Sequence, residues 1–257
     1  MPYSVRDFLE MTLAAGRPSR FLLCFILSSL LSFGASAIVS TATDNNKNST
    51  PISHDWASMA DMVFHHFSTQ QGLPQFSATA VEQDGEGFIW VGTQGGLARW
   101  DGYRFRNYLP IPNNFSSLPD NYVMSLYKDN RNRLWVGTNG GGLSRYDHRT
   151  DSFVRVPVGA TGISHVTVNF ITGDGKDGLW VATRGGLNHY QPDTGLVRQF
   201  RHDPNNPNSL PSDIVRGVVV DQRGVVWIAT SQGLVKFDAK NNRFIKVRLP
   251  LEEGKVQ

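Results

Sequence analysis

The 257-residue sequence has a single cysteine and, outside an N-terminal segment, no long hydrophobic run. Its one cysteine, Cys24, lies in an N-terminal apolar segment, so the rest of the chain has no thiol for a disulfide, a catalytic nucleophile or a zinc thiolate site. After that segment, no stretch approaches the roughly 20 apolar residues of a membrane-spanning helix. Lysine and arginine are scattered and the formal net charge is only +3, which argues against nucleic acid as a partner.

The N-terminal residues predict export. Two arginines precede the apolar run FLLCFILSSLLSF, and Ala35 and Ala37 follow in the small-x-small pattern that signal peptidase accepts. We therefore predict a signal peptide over residues 1–37, with an uncleaved N-terminal anchor as the alternative. Residues 38–61 are rich in Asn, Ser and Thr and predict a flexible linker.

One phrase returns four times along the remaining chain. FIWVGTQGGLARWD, at residues 88–101, is followed by RLWVGTNGGGLSRYD, GLWVATRGGLNHYQ and VVWIATSQGLVKFD. The tryptophans are 45, 45 and 47 residues apart, and an aspartate stands six residues before each one. This period indicates an array of one structural unit. Its repeated residues are Asp84, Trp90, Asp129, Trp135, Asp174, Trp180, Asp221 and Trp227.

Each unit contains four short β-rich segments, such as SATAVEQD, FIWVGT, GLARWD and YRFRNYL in the first unit. We predict a four-stranded antiparallel meander in which the aspartate caps a turn and the tryptophan packs against the neighbouring unit. Radial stacking of such units predicts an all-β fold, a β-propeller over residues 62–257; a linear β-solenoid is the alternative. The predicted blades span about 76–110, 120–157, 164–201 and 213–249.

Two long phrases carry a family resemblance. QGLPQFSATAVEQDGEGFIWVGTQGGLARWDG and HDPNNPNSLPSDIVRGVVVDQRGVVWIATSQGLVKFD resemble the two-component regulator propeller repeats of periplasmic sensor regions, found in hybrid histidine kinases and some diguanylate cyclases. The resemblance covers residues 62–249 and implies a periplasmic, membrane-associated sensor segment. Because rings of this family usually need more than four blades, we expect an incomplete ring and a fragment without its output domain.

The resemblance also implies partners. It indicates a saccharide or another small-molecule ligand, a cytoplasmic kinase or cyclase output domain in the full-length receptor, and it allows a homodimer of that receptor. We expect no nucleic-acid partner.

The sequence has no pattern typical of catalysis. Its seven histidines lack paired ligand spacing, and the glycine-rich turns precede strands, so they are not phosphate loops. We therefore expect no catalytic residue, no metal and no cofactor in this segment. Two alternatives stay open, namely a propeller enzyme (a lyase or a glycan hydrolase) and a protein-interaction scaffold.

Binding residues are expected in the loops that join blades and in the turns between the second and third strands. These loops are rich in Asn, Ser and Asp, which both donate and accept hydrogen bonds, and Tyr and Arg add a stacking plane and a bidentate fork. The same composition is also typical of ordinary turns. The candidate ligand-binding residues are Asn113, Asn114, Asn121, Tyr122, Asn139, Arg184, Asn205, Asn206 and Asp213.

Overall fold

The computed structural model describes residues 66–248, so the predicted signal peptide and linker lie outside the described residues. A short 3₁₀ helix, Thr69–Gln71, precedes sixteen strands in four sheets. Blade 1 contains β1 (Ala78–Gln83), β2 (Ile89–Thr93), β3 (Leu97–Trp100) and β4 (Phe105–Tyr108). Blade 2 contains β5 (Val123–Lys128), β6 (Leu134–Thr138), β7 (Leu143–Asp147) and β8 (Ser152–Arg155). Blade 3 contains β9 (Val168–Gly173), β10 (Leu179–Thr183), β11 (Gly186–Gln191) and β12 (Leu196–Phe200). Blade 4 contains β13 (Val215–Val220), β14 (Val226–Thr230), β15 (Gly233–Asp238) and β16 (Arg243–Lys246).

Each blade is an antiparallel meander whose strands pair in chain order. The first strands lie beside one another, with β1 next to β5, β5 next to β9, and β9 next to β13. Between residues 66 and 248 no comparable packing joins β1 to β13. The predicted fold class is therefore confirmed as an all-β array of four propeller blades in an incomplete ring.

A register irregularity recurs in the first strand of each blade. Near the start of the strand, one residue is left without a partner in β2, β6, β10 or β14: Thr79, Met124, Asn169 and Arg216. Such bulges redirect a side chain. Thr79 Oγ1 donates to the Val123 carbonyl at 2.6 Å, and Asn169 Nδ2 donates to the Val215 carbonyl at 2.7 Å. In blades 1 and 3 the bulge therefore joins the innermost strand to that of the next blade.

Three tryptophans anchor the hydrophobic clusters between consecutive blades. Trp90, Trp135 and Trp180 are 0%, 2% and 6% exposed, respectively. Each meets an aromatic ring of the following blade edge-on, with centroid distances of 4.6 Å to Tyr146, 5.6 Å to Tyr190 and 5.8 Å to Phe237. Edge-to-face pairs add stabilisation beyond the area they bury. The repeat thus builds an edge-on contact between its tryptophan and an aromatic ring at each of the three interfaces.

A polar cluster reinforces the interface between blades 1 and 2. Asp151 Oδ1 accepts hydrogen bonds from the hydroxyls of Tyr108 at 2.8 Å and Tyr146 at 2.6 Å, and Asp151 also forms an ion pair with Arg106. Asp151 has a left-handed backbone with φ 52°, which few side chains adopt without cost. Burial and the Tyr108 hydroxyl raise the pKa of Tyr146. Tyr146 therefore stays protonated and donates to Asp151 within blade 2, while Tyr108 of blade 1 donates to the same carboxylate across the interface.

Candidate functional site

Antiparallel meanders bring alternate connections to the same end of the array. We call the end formed by the interblade connections and the second turn of each blade the entry end; its residues are 94–96, 109–122, 139–142, 156–167, 184–185, 201–214 and 231–232. The opposite end, the turn end, contains the first and third turns of each blade; its residues are 84–88, 101–104, 129–133, 148–151, 174–178, 192–195, 221–225 and 239–242. All nine candidate ligand-binding residues lie at the entry end.

A chain of hydrogen bonds brings three of these candidates together. The Asn139 amide donates to the Tyr122 carbonyl at 2.9 Å, and the Arg184 amide donates to the Thr167 carbonyl at 3.2 Å. Thr167 Oγ1 donates to the Asn139 carbonyl at 2.6 Å, which links the two pairs. Tyr122, Asn139 and Arg184 therefore follow one another across blades 2 and 3.

The side chains of this row differ in exposure. Tyr122 is half-buried, and its hydroxyl accepts a long hydrogen bond of 3.4 Å from Gln94 Nε2. Arg184 and Asn121 are exposed, and Asn139 is half-buried. The row thus presents a phenol, an amide and a guanidinium to solvent, which together can stack on and hydrogen-bond a polar ligand.

Four asparagine candidates lie on loops that extend onto the next blade. The amides of Phe153 in β8 and Phe244 in β16 donate to the carbonyls of Ser116 and Asn208, each at 2.8 Å. These bonds place residues 113–116 and 205–208 beside outermost strands, whereas the Tyr122 row lies where the innermost strands begin. The four are Asn113, Asn114, Asn205 and Asn206.

Some of these side chains already serve their own loops. Asn114 Oδ1 accepts from the Ser116 amide at 2.9 Å, and Asn206 Oδ1 accepts from the Asn208 amide at 3.0 Å. Asp213 Oδ1 accepts from the His202 amide at 2.7 Å. Asn113 has a left-handed φ of 61°, a conformation that asparagine tolerates well. These contacts are those of turn-forming residues.

The repeated aspartates lie in the first turn of each blade. In every blade the Oδ1 atom accepts from the amides two and four residues later; for Asp129 these are Arg131 and Arg133, both at 2.9 Å. In blade 2, Oδ2 accepts from Trp135 Nε1 at 2.9 Å, and the same bond occurs in blades 1 and 4. Burial opposes ionisation of Asp129, but hydrogen bonds from Trp135 and Arg133 outweigh it and lower the pKa. One carboxylate therefore holds both the turn and the tryptophan ring.

Blade 3 departs from this pattern. Asp174 Oδ2 contacts His189 Nε2 at 2.9 Å, and the His189 ring stacks on Trp180 with a centroid distance of 4.4 Å. Burial would raise the pKa of Asp174, but His189 and the turn amides lower it overall. His189 lies directly opposite Trp180 on the neighbouring strand. In the four blades this position is Arg99, Arg145, His189 and Lys236.

Sequence reasoning missed two further residues of the repeat. A buried aliphatic residue precedes each first strand, and a buried threonine ends each second strand: Leu73, Leu118, Ile163 and Leu210, and Thr93, Thr138, Thr183 and Thr230. Each threonine hydroxyl donates to the carbonyl of a glycine that ends the second turn or begins the third strand, at 2.8 to 3.1 Å. The signal was available, because both sets repeat with the spacing of the tryptophans.

Residues 66–248 lack two kinds of feature. No group of three or more His, Cys, Asp or Glu side chains in this part is placed to hold a metal ion. Nor does the described part contain a helix with the length and apolar character needed to cross a membrane.

One protein family and one curated relative match parts of this sequence. The family model of the two component regulator propeller matches residues 117–140 and 209–232, which run from the buried leucine to the second turn of blades 2 and 4. These segments match two-component regulator propeller repeats, which confirms the predicted resemblance in blades 2 and 4. A curated relative, histidine kinase P4 of Formosa agariphila, is 39% identical over 62 residues, which are 24% of this chain and 4% of the relative.

Solved structures share the blade arrangement. The extracellular domain of a putative hybrid two component system from B. thetaiotaomicron superposes with a TM-score of 0.57 at 21% identity, covering 66% of this chain and 25% of that chain. Virginiamycin B lyase from Staphylococcus aureus superposes with a TM-score of 0.53 at 15% identity, covering 70% of this chain and 58% of that one. At these identities the similarity establishes the propeller fold. The chain spans about a quarter of the length of the B. thetaiotaomicron domain.

Proposed function

We propose that this chain is the ligand-sensing propeller segment of a bacterial transmembrane signalling receptor. The observation that carries the proposal is the match of two blades to the two-component regulator propeller. The segment acts in the periplasm after export, and ligand occupancy is transmitted to a cytoplasmic output domain of the full-length receptor. That domain is a histidine kinase or a diguanylate cyclase, and the receptor signals as a homodimer.

We place the ligand at the entry end and assign it to the saccharides. Support comes from the row of Tyr122, Asn139 and Arg184. Hydrogen bonds hold these residues next to one another, two between backbone groups and one from Thr167 Oγ1, and their side chains are at least partly accessible. A phenol ring can stack on a sugar face, while amide and guanidinium groups bond its hydroxyls. Among the outer asparagines, Asn114 and Asn206 contribute less, because their side chains accept hydrogen bonds from their own turns.

Thermal unfolding of the full chain with a panel of neutral oligosaccharides tests this function. A ligand at about 100 times its Kd adds roughly 2.7 kcal/mol to the free energy of unfolding, so the matching sugar raises Tm. The Arg184→Ala variant should lose most of this shift. The matched control is Arg223→Ala, which removes an exposed arginine at the turn end.

Three results would contradict the proposal. An Arg184→Ala variant that responds to the sugar as the parent chain does would show that the ligand does not bind at the Tyr122 row. Turnover of an oligosaccharide by the full chain would favour a propeller enzyme instead. A chain that ignores every small molecule but retains a protein partner would favour a scaffold.

A further inference from the structure

At the entry end, one side chain caps the start of the first strand in every blade. The capping residue lies three positions before the strand and accepts a hydrogen bond from the backbone amide two residues later. The four acceptors are Gln75 Oε1 at 3.1 Å, Asp120 Oδ1 at 2.8 Å, His165 Nδ1 at 2.9 Å and Ser212 Oγ at 3.1 Å. The bond is therefore common to the repeat, although its acceptor differs from blade to blade.

The acceptor of blade 3 is the one that a proton can remove near neutral pH. Amide, carboxylate and hydroxyl oxygens keep a lone pair between about pH 5 and pH 8, whereas histidine gains or loses a proton in that range. Because Nδ1 of His165 accepts from the Thr167 amide, the neutral ring carries its proton on Nε2. A second proton must bind to Nδ1, where it faces the N–H group of Thr167 and abolishes the hydrogen bond.

Thr167 connects this bond to the Tyr122 row. It is 5% exposed, its hydroxyl donates to the Asn139 carbonyl at 2.6 Å, and its carbonyl accepts from the Arg184 amide at 3.2 Å. All three polar groups of Thr167 are thus used, one by His165 and two by the row. The position of Asn139 relative to Arg184 therefore depends on a residue that His165 holds.

Two arginines lie close to His165. His165 packs against Gly185, which directly follows Arg184. Arg201 Nη2 donates at 3.4 Å to the carbonyl of Ser164, the residue before His165. A proton on His165 thus adds positive charge beside two other cations.

The carboxylates of the adjoining blades do not balance that charge. On the blade 2 side Asp120 accepts from the Tyr122 amide, and on the blade 4 side Asp213 accepts from the His202 amide. Neither forms an ion pair with His165, nor does any other acid within residues 66–248. Protonation therefore removes the Thr167 bond without creating a salt bridge.

We propose that His165 is a positioning residue for the Tyr122 row and that it makes ligand binding by this row depend on pH; the inference rests on the proposed function of the row. The neutral ring holds the Thr167 amide and, through Thr167, the backbone of Asn139 and Arg184. Histidine is neutral at the upper end of the range from about pH 5 to pH 8 and protonated at the lower end. The bond is therefore present at the higher pH and lost as the pH falls, and ligand affinity falls with it.

Amide hydrogen exchange of the full chain, followed by nuclear magnetic resonance, tests the positioning role without a ligand. From about pH 7.5 to about pH 5.5, protection of the Thr167 amide relative to its intrinsic exchange rate should fall in the parent chain. It should stay constant in His165→Gln, because blade 1 makes the same bond with Gln75. His202→Gln is the matched control and should behave as the parent chain does, since Nδ1 of His202 donates to the Leu210 carbonyl at 2.7 Å and keeps that bond when protonated.

Isothermal titration at the same two pH values measures the consequence for binding, with the neutral oligosaccharide of the panel that raises Tm most. The sugar has no titratable group, so a change in affinity belongs to the protein. Binding should weaken by about fivefold at the lower pH, which corresponds to the net contribution of one hydrogen bond. His165→Gln should bind equally at both.

Several outcomes overturn the inference. Constant protection of Thr167 in the parent chain does so, and so does the same fall in His165→Gln. A sugar affinity that does not change with pH in the parent chain overturns the coupling to binding. If no oligosaccharide binds, the proposed function fails, while the exchange experiment still decides whether His165 positions Thr167. If circular dichroism shows His165→Gln to be unfolded, His165→Ser replaces it, because blade 4 makes this bond with Ser212; protection that falls with pH in that variant also overturns the proposal.

Discussion

The tryptophans of blades 1 to 3 and the tryptophan of blade 4 occupy the same repeat position but different environments. Trp90, Trp135 and Trp180 are 0%, 2% and 6% exposed and pack against the next blade. Trp227 is half-buried, and no described blade lies beyond it. All the same, its indole donates to Asp221 at 3.0 Å, as the indoles of Trp90 and Trp135 donate to their aspartates.

The difference separates two contributions to one residue. The hydrogen bond to aspartate is made within a blade, and it is present in blades 1, 2 and 4. Burial of the ring is made between blades and requires a second sheet. The energetic role of the tryptophan thus depends on the neighbouring blade, although its orientation does not.

The largest expected effect comes from removing the ring. Trp135→Ala should lower the free energy of unfolding by about 3–5 kcal/mol, because it leaves a cavity between blades 2 and 3. Trp227→Ala should lower it by roughly 1 kcal/mol, since little surrounding structure closes over that ring. Urea unfolding followed by circular dichroism measures both changes.

Equal losses in the two variants would contradict the expected difference between Trp135 and Trp227. They would mean that the open face of blade 4 is covered in solution. Sedimentation velocity of the full chain would then show whether a second copy covers it.

The next effect concerns the aspartates. Asp129 is 6% exposed, and Asp129→Ala should cost about 3 kcal/mol, because Arg133 loses a buried partner and Trp135 loses its acceptor. Asp221→Ala, in the more open turn of blade 4, should cost less. Chemical unfolding of both variants checks the order, and an equal or reversed order would show that the capping bonds dominate over burial.

The smallest expected effect concerns two tyrosine hydroxyls at neighbouring interfaces between blades. Tyr146→Phe removes a hydroxyl that donates to Asp151 at 2.6 Å and should cost about 1 kcal/mol. Tyr190→Phe removes the equivalent hydroxyl at the next interface. Since that hydroxyl has no hydrogen bond within residues 66–248, we expect a loss below about 0.5 kcal/mol. Thermal unfolding compares the two, and similar losses would show that the Asp151 cluster adds no stability.

Much of the fold follows from local patterns. The four β-rich segments of each repeat, the aspartate six residues before each tryptophan, and the glycine-rich second turns predicted the antiparallel blades. These features are readable because strand alternation and turn chemistry act over a few residues. The repeat spacing then indicated that the units stack.

The candidate site was less predictable. Nine polar residues looked equivalent in sequence, yet the loops that contain Asn113 and Asn205 extend onto outermost strands, while Tyr122, Asn139 and Arg184 form one row. Bonds such as Phe153 to Ser116 join residues nearly a whole repeat apart. No local pattern marks a contact of that range. The bond from Thr167 to Asn139 is likewise visible only once the blades are in place.

Local sequence patterns specify where strands form, where the chain turns and which side chains cap those turns, because these choices depend on backbone conformation and hydrogen bonds within a few residues. Tertiary structure alone decided which tryptophan is buried, which polar side chains share an end and which of them join two blades. Burial and pairing are properties of two surfaces in contact, and the same repeat residue receives a different environment when its neighbour differs.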